Sequence, residues 1–364
     1  MIAIGILVAL AAAYFALWRQ SRFAYQPPEL RAPERRERGS FETVFFPACD
    51  GTRLEGWLFR PHRAHAPLVI MAGGLTATKD CGLEAYAWQF VERGIATLLF
   101  DYRCFGGSAG TPRHYVDPER QVDDYRAALK FARAELTREG VIDATRIALW
   151  GSSFSGGNAL VTAATGANVQ AVVVQAPYLQ TPEHIEPAGM NLARFVIWAM
   201  LDSLRVLPPI YVPALGRPGE WVFAPSRENP SVRNFEGPLG SDFWRLLPKP
   251  IRGGWENRML ARVLTSIDRF EPMQRVSQID CPILFIAAAS DDLVPQTFVE
   301  RAHALARASQ LHVLPCGHFD LYFGEHGARN AALQASFLAE RFEAETTPAA
   351  PSDGEHTHGR KECA

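Results

Sequence analysis

The chain has 364 residues, 48% of them apolar and 21% charged, with 28 glycines and 26 prolines. This composition excludes collagen-like, coiled-coil and wholly disordered chains, and the length fits one large or two ordinary domains. A formal charge of −2, from 37 Lys and Arg against 39 Asp and Glu, with no basic stripe, excludes nucleic acid as a partner.

The first element is an uncharged run, residues 2–18 (IAIGILVALAAAYFALW), which meets Arg19. As a helix its roughly 17 residues reach about 25 Å, the low end of a hydrocarbon span. Tyr14 and Trp18 lie at one end, where amphipathic rings favour the lipid boundary. Residues 1–18 are therefore read as an N-terminal membrane anchor, and the membrane is counted as a partner through that helix. Arg19, Arg22, Arg31, Arg35, Arg36 and Arg38 all follow the run, which assigns the bulk of the chain to the cytoplasmic side. The rivals are a buried helix and a cleaved signal peptide at Ala11-Ala12-Ala13, which would make the chain secreted or periplasmic; no basic residue precedes the run. Residues 19–40, with Pro27-Pro28, read as a linker.

Residues 41–46 and 54–59 are strand-like and flank Asp50-Gly51, predicting an antiparallel hairpin. A buried strand at 68–71 ends on Gly73-Gly74, a helix follows over 83–92, and a second buried strand over 96–100. Asp117 as N-cap and Pro118 at the first helical position open a long amphipathic helix to about 139. Strand 147–150, helix 158–165 and strand 171–174 continue the alternation, which breaks over residues 181–269, rich in Pro, Trp and Arg and with an amphipathic stretch at 192–204. It resumes with strand 283–287, helix 296–308, strand 311–314 and helix 328–342. This pattern predicts an α/β fold over 41–342, a mostly parallel sheet with helices on both faces and an inserted cap. Residues 343–364 read as a disordered tail; the spacing of His356, His358 and Cys363 matches no zinc pattern. Six scattered cysteines without a CxxC pair are expected to be reduced thiols.

The strongest chemical signal is Gly151-Ser152-Ser153-Phe154-Ser155-Gly156-Gly157, placed where a buried strand turns into a helix. A nucleophile on such a bend is exposed, and the helix N-terminus behind it favours developing negative charge. The register makes Ser153 the nucleophile and Ser152 and Ser155 spacers; the bland alternative is a Gly/Ser turn or phosphate cradle. A serine needs a base, and the base an orienting acid. His318 and Asp291 follow the strands at 311–314 and 283–287, on the sheet edge that carries Ser153. Asp292 is the alternative acid, and Asp320 is read as structural. The backbone N–H groups of Phe154 and Leu75 are candidate oxyanion donors, Gly73-Gly74 permitting close approach.

Taken in order, Gly73–Asp80, Phe100–Ser108, the Ser153 elbow, Asp291–Pro295 and Gly317–Phe319 resemble the α/β-hydrolase superfamily over residues 41–342. They are most similar to its bacterial dienelactone-hydrolase-, serine-aminopeptidase- and X-prolyl-peptidase-like branch. The resemblance implies hydrolysis of a small-molecule acyl substrate through an acyl-enzyme, usually without metal or cofactor. Two residues depart from the pattern: Ser155 replaces the second Gly of the elbow, and Gly73 stands where many relatives carry His. Trp198, Trp221, Trp244 and Trp255 of the insert either wall the acyl pocket or simply pack the cap. A carboxylic ester is the first reading of the substrate. An acyltransferase or small-peptide peptidase would use the same three residues, and a membrane-tethered binding protein with a dead site is the non-enzymatic alternative.

Overall fold

In the computed structural model the described residues are 2–21, 41–181, 190–205, 208–212, 214, 255, 258–291 and 293–344. Strands β1 (Glu42–Pro47) and β2 (Arg53–Phe59) form the expected hairpin, with Gly51 at φ 82° in its turn. They border β3 (Ala66–Ala72), β4 (Ala96–Phe100), β5 (Ile142–Ser152) and β6 (Ala171–Gln175), and the sheet is completed by β9 (Ile283–Ala288) and β10 (Ser309–Leu314). The order is β1-β2-β4-β3-β5-β6-β9-β10; β1, β2 and β4 pair antiparallel and every other pair is parallel. Every residue of β3, β4, β6 and β9 is buried, because helices cover both faces.

Successive side chains of a strand point to opposite faces, and here they divide between two cores. Leu68, Ile70, Leu149 and Val172 pack with Tyr125 of α3 (Pro118–Phe131) and Leu160 of α4 (Phe154–Ala164). Val69, Met71, Trp150 and Val173 pack with Phe90 of α2 (Glu84–Glu92) and Leu338 of the last long helix (Gly324–Ala344). Strand β3 lies between β4 and β5, so the chain moves outward from β3 to β4 and then crosses back to β5. That reversal opens a crevice at the carboxyl ends of β3 and β5, where α/β sheets bind ligands.

One interaction fixes the loop after β4 to α3. Arg103 donates from its backbone N–H (3.0 Å), Nε (2.8 Å) and Nη2 (2.6 Å) to the Asp124 carboxylate, and from Nη1 to Asp50 (2.8 Å). Burial pushes the Asp124 carboxyl up to about 6, against the guanidinium. A buried pair contributes little net stability, but removing one partner strands the other charge. Asp124→Ala is expected to lower unfolding stability by about 3–5 kcal/mol in urea titration, and joint replacement of Arg103 and Asp124 by apolar residues by clearly less.

The break in the alternation falls between β6 and β9. Its described residues include helix α5 (Met190–Ser203) and the antiparallel pair β7 (Tyr211–Val212) and β8 (Met259–Leu260). Fully buried Asp202 clasps this segment, accepting from the backbone N–H groups of Ile210 and Arg262 (3.0 Å each) and from the Arg262 guanidinium (2.8 and 3.0 Å). Trp221 and Trp244 lie outside the described residues, as do 22–40 of the expected linker and 345–364 of the expected tail.

The expected membrane anchor is overturned. Residues Ile2–Ser21 form helix α1, but among the described residues no helix is long and apolar enough to cross a membrane. The uncharged run stops at Arg19, so about 25 Å of the helix is free of charge, the low end for a hydrocarbon core of about 30 Å. Its Tyr14 ring packs half-buried against the protein, and the Tyr14 hydroxyl donates to the Pro208 carbonyl at 2.8 Å. The membrane as partner and the cytoplasmic-side placement rested on that span and fall with it.

Candidate active site

Strand β5 ends at Ser152 and helix α4 begins at Phe154, leaving Ser153 alone on the bend at φ 53°, ψ −124°. A non-glycine residue there is strained and persists only when its surroundings hold it. Ser153 N–H donates to Gln175 O (2.9 Å), and Ser153 O accepts from the N–H groups of Gly156 (2.9 Å) and Tyr178 (2.8 Å). The bend is tight enough that a Cβ on Gly151 would lie 2.2 Å from Ser155 O, which explains the small residue required there.

The three serines differ in environment. Ser152 is fully buried, accepting from Gln175 Nε2 (3.0 Å) and bonded to the Tyr322 hydroxyl. Ser155 is fully buried between the hydroxyls of Tyr102 (2.6 Å) and Tyr125 (2.9 Å). Ser153 is half-buried. Helix α4 points its N-terminus, Phe154 N–H first, at this bend, a fixed partial positive charge.

The loop after β3 reaches the same point. A Cβ on Gly74 would lie 3.0 Å from Ser153 Cβ and 3.6 Å from its Oγ, so any larger residue would push the two segments apart by a few tenths of an ångström. Leu75, half-buried, follows Gly74 directly. Trp255 comes down from the insert onto this loop, its Nε1 donating to Thr76 Oγ1 at 3.3 Å, whereas Trp198 is buried in the core.

His318 and Asp291 meet across 2.7 Å, Nδ1 to Oδ2, both side chains almost fully buried. Asp291 follows β9, and its Oδ1 accepts the N–H groups of Leu293 (2.9 Å) and Val294 (2.8 Å), so the carboxylate is held at both oxygens. A carboxylate only accepts, so the imidazole hydrogen sits on Nδ1 and Nε2 keeps its lone pair. Asp292 lies outside the described residues. Asp320 accepts Gly317 N–H at 2.8 Å, closing the loop that bears His318. Burial, with the charges of Asp320 and Asp291, pushes the Cys316 thiol up to about 12, which removes it as a rival nucleophile at neutral pH.

Sequence reasoning missed the polar layer beneath these loops. Gln175 Oε1 accepts from Asn330 Nδ2 and Gln334 Nε2 (2.9 Å each), Gln334 Oε1 accepts from Trp150 Nε1 (2.6 Å), and Asn330 Nδ2 also reaches the Tyr86 hydroxyl (2.7 Å). Tyr86 in turn donates to Leu321 O, three residues past His318. The available signal is the spacing of Asn330 and Gln334, four apart on one helix, and the structure buries both fully. Among the described residues no group of three or more His, Cys, Asp or Glu could hold a metal ion, and His356, His358 and Cys363 lie outside them.

A family model described as "Alpha/beta hydrolase family" matches residues 69–333. The chain is 31% identical to the quorum-quenching protein AidA of Acinetobacter baumannii over 293 residues, which is 79% of this chain and 90% of that protein. It is 35% identical to a thiohydrolase of Eupenicillium brefeldianum over 311 residues, 83% of this chain and 95% of that protein. It is 26% identical to polyketide transferase af380 of Aspergillus fumigatus, over 83% of this chain and 99% of that protein.

Proposed function

The chain belongs to the alpha/beta hydrolase family, and from that premise we propose that it is a serine hydrolase cleaving a carboxylic ester, or a related acyl bond, of a small molecule. The observation that carries this reading is the 2.7 Å bond between His318 Nδ1 and Asp291, on the loops after β10 and β9, at the edge where Ser153 stands on its strained bend. Ser153 Oγ attacks the acyl carbonyl carbon as His318 Nε2 takes its proton, and Asp291 holds the imidazole and stabilises its charged form. The N–H groups of Phe154 and Leu75 receive the oxyanion. His318 then gives its proton to the departing oxygen or sulfur, leaving an acyl-Ser153 ester. Water, deprotonated by His318, attacks that ester, releases the acid and restores Ser153. Trp255, hydrogen-bonded over the Leu75 loop, supports the insert as one wall of the acyl site.

The thiohydrolase among the relatives supports a thioester as the related acyl bond, and the polyketide transferase supports a second reading in which an alcohol or amine replaces water. A fluorophosphonate probe is expected to label the protein at Ser153 alone. Turnover of p-nitrophenyl esters and acyl thioesters with and without added alcohols and amines then separates acid from transfer product. Absence of labelling at Ser153 would sink both readings.

A further inference from the structure

Three residues remain unused by this mechanism: Ser155 of the elbow, where the motif normally has Gly, and the Asp101-Tyr102 pair just past β4. All three are explained by one arrangement. Asp101, 1% exposed, accepts Lys79 N–H on Oδ1 (2.7 Å), and Lys79 Nζ (2.5 Å) and Gly107 N–H (2.9 Å) on Oδ2. Lys79 Nζ also pairs with Glu55 at 2.8 Å. Lys79 lies four residues past Leu75, so Asp101 pins the far end of the loop that brings Leu75 to Ser153.

Tyr102 faces the other way, into a chain whose direction follows from counting hydrogens. Tyr125 Oη lies 2.6 Å from Trp150 O, and a carbonyl only accepts, so the Tyr125 hydrogen goes there. Its contact with Ser155 Oγ (2.9 Å) must then be Ser155 donating to Tyr125. The Ser155 hydrogen being used, the 2.6 Å contact with Tyr102 has Tyr102 donating to Ser155. Tyr102 Oη accepts from Asn158 Nδ2 at 3.0 Å. The result is a one-way run, Asn158 to Tyr102 to Ser155 to Tyr125 to the Trp150 carbonyl, which ties the first turn of α4 to the end of β5. Chains of this kind polarise one another in a low-dielectric interior. Ser155 is the link that glycine could not supply.

We propose that Asp101 and Tyr102 are positioning residues that set the separation of the two oxyanion donors, Asp101 through Lys79 to the Leu75 loop and Tyr102 through Ser155 to Phe154. Asp101 and Tyr102 are consecutive, their Cα atoms about 3.8 Å apart, and bond to Lys79 and Ser155 respectively, so one short stretch holds both segments in a fixed relation. The proposal rests on the acyl-enzyme reading and gives the altered elbow its role.

The test uses the full chain with Tyr102→Phe, Ser155→Gly and Asp101→Asn, each normalised by fluorophosphonate titration so that only folded, reactive protein is counted. Tyr102→Phe and Ser155→Gly are expected to lower kcat per titrated site on the order of tenfold, less than the loss of about a hundredfold or more when a donor is deleted outright. KM should stay within about twofold, and affinity for a trifluoromethyl ketone, which forms a tetrahedral adduct on Ser153, should fall by the same factor as kcat. The Tyr102→Phe/Ser155→Gly double variant should lose no more than the worse single one, because both cut the same chain. Asp101→Asn should show the same split between kcat and KM through the other segment. Unchanged kcat per titrated site in Tyr102→Phe and Ser155→Gly, or losses confined to KM with analogue affinity intact, would overturn the proposal. If the unmodified chain is not labelled at Ser153, the acyl-enzyme reading itself fails and this proposal with it.

Discussion

Ser153→Ala is expected to lower p-nitrophenyl ester turnover by about 10⁵- to 10⁶-fold while leaving the thermal midpoint within about 2 °C. On the proposed route the Ser153 hydroxyl forms the only covalent bond to the acyl group, so its removal leaves just the acceleration from binding and oxyanion contacts. The fold should tolerate the change because the bend is held by backbone groups, Ser153 N–H on Gln175 O and Ser153 O on Gly156 and Tyr178. Alanine keeps all three bonds. Active-site titration with a burst substrate checks the result, and a variant that kept more than a few per cent of native turnover would place the nucleophile elsewhere.

The second large effect is at the acid. Asp291→Asn is expected to reduce kcat by about 10⁴-fold with little change in KM. The amide oxygen can still accept the Leu293 and Val294 N–H groups that hold the loop. Its nitrogen then faces His318 Nδ1 and donates, which moves the imidazole hydrogen to Nε2 and leaves no lone pair toward Ser153. Geometry is kept and the tautomer is lost. Full activity in Asp291→Asn would assign the orienting role to another carboxylate. Parallel measurement of unfolding separates this outcome from simple destabilisation.

The strands were readable because burial on both faces writes itself as continuous apolar runs, as in Leu68–Met71 and Ala171–Val174, and the sheet follows from their alternation with helices. Ser153 and Asp291 stand out as candidates because each follows such a run, and His318 because it follows the last, only partly buried strand on the same edge of the sheet. The sequence predicts helix α4 from residue 158, and it begins at Phe154. Its first turn contains Ser155, Gly156 and Gly157, poor helix formers by propensity, and tertiary packing overrides that preference. The long helix after Asp117 likewise changes to a π-helical turn over Ala132–Leu136, for which its composition gives no warning. Least readable were the buried polar runs. Asn158 looks like an ordinary polar position until Tyr102 and Gln121 meet it, and Gln175 and Gln334 until they meet each other, partners that lie far apart in sequence. The N-terminal run misled for a related reason: hydropathy measures how apolar a segment is, and says nothing of Tyr14 finding a partner at Pro208.

The reversal of strand order between β3 and β5 also bears on how the molecule assembles. Gly74 and Ser153 are neighbours in space but about 80 residues apart along the chain, and His318 is carried on the loop after β10, which pairs with β9. Closing loops of that size is entropically costly and is repaid only when the last parallel pairs form. On the proposed triad, reactivity of Ser153 requires the parallel sheet out to its β10 edge, and its appearance during refolding is expected to report completion of the whole sheet.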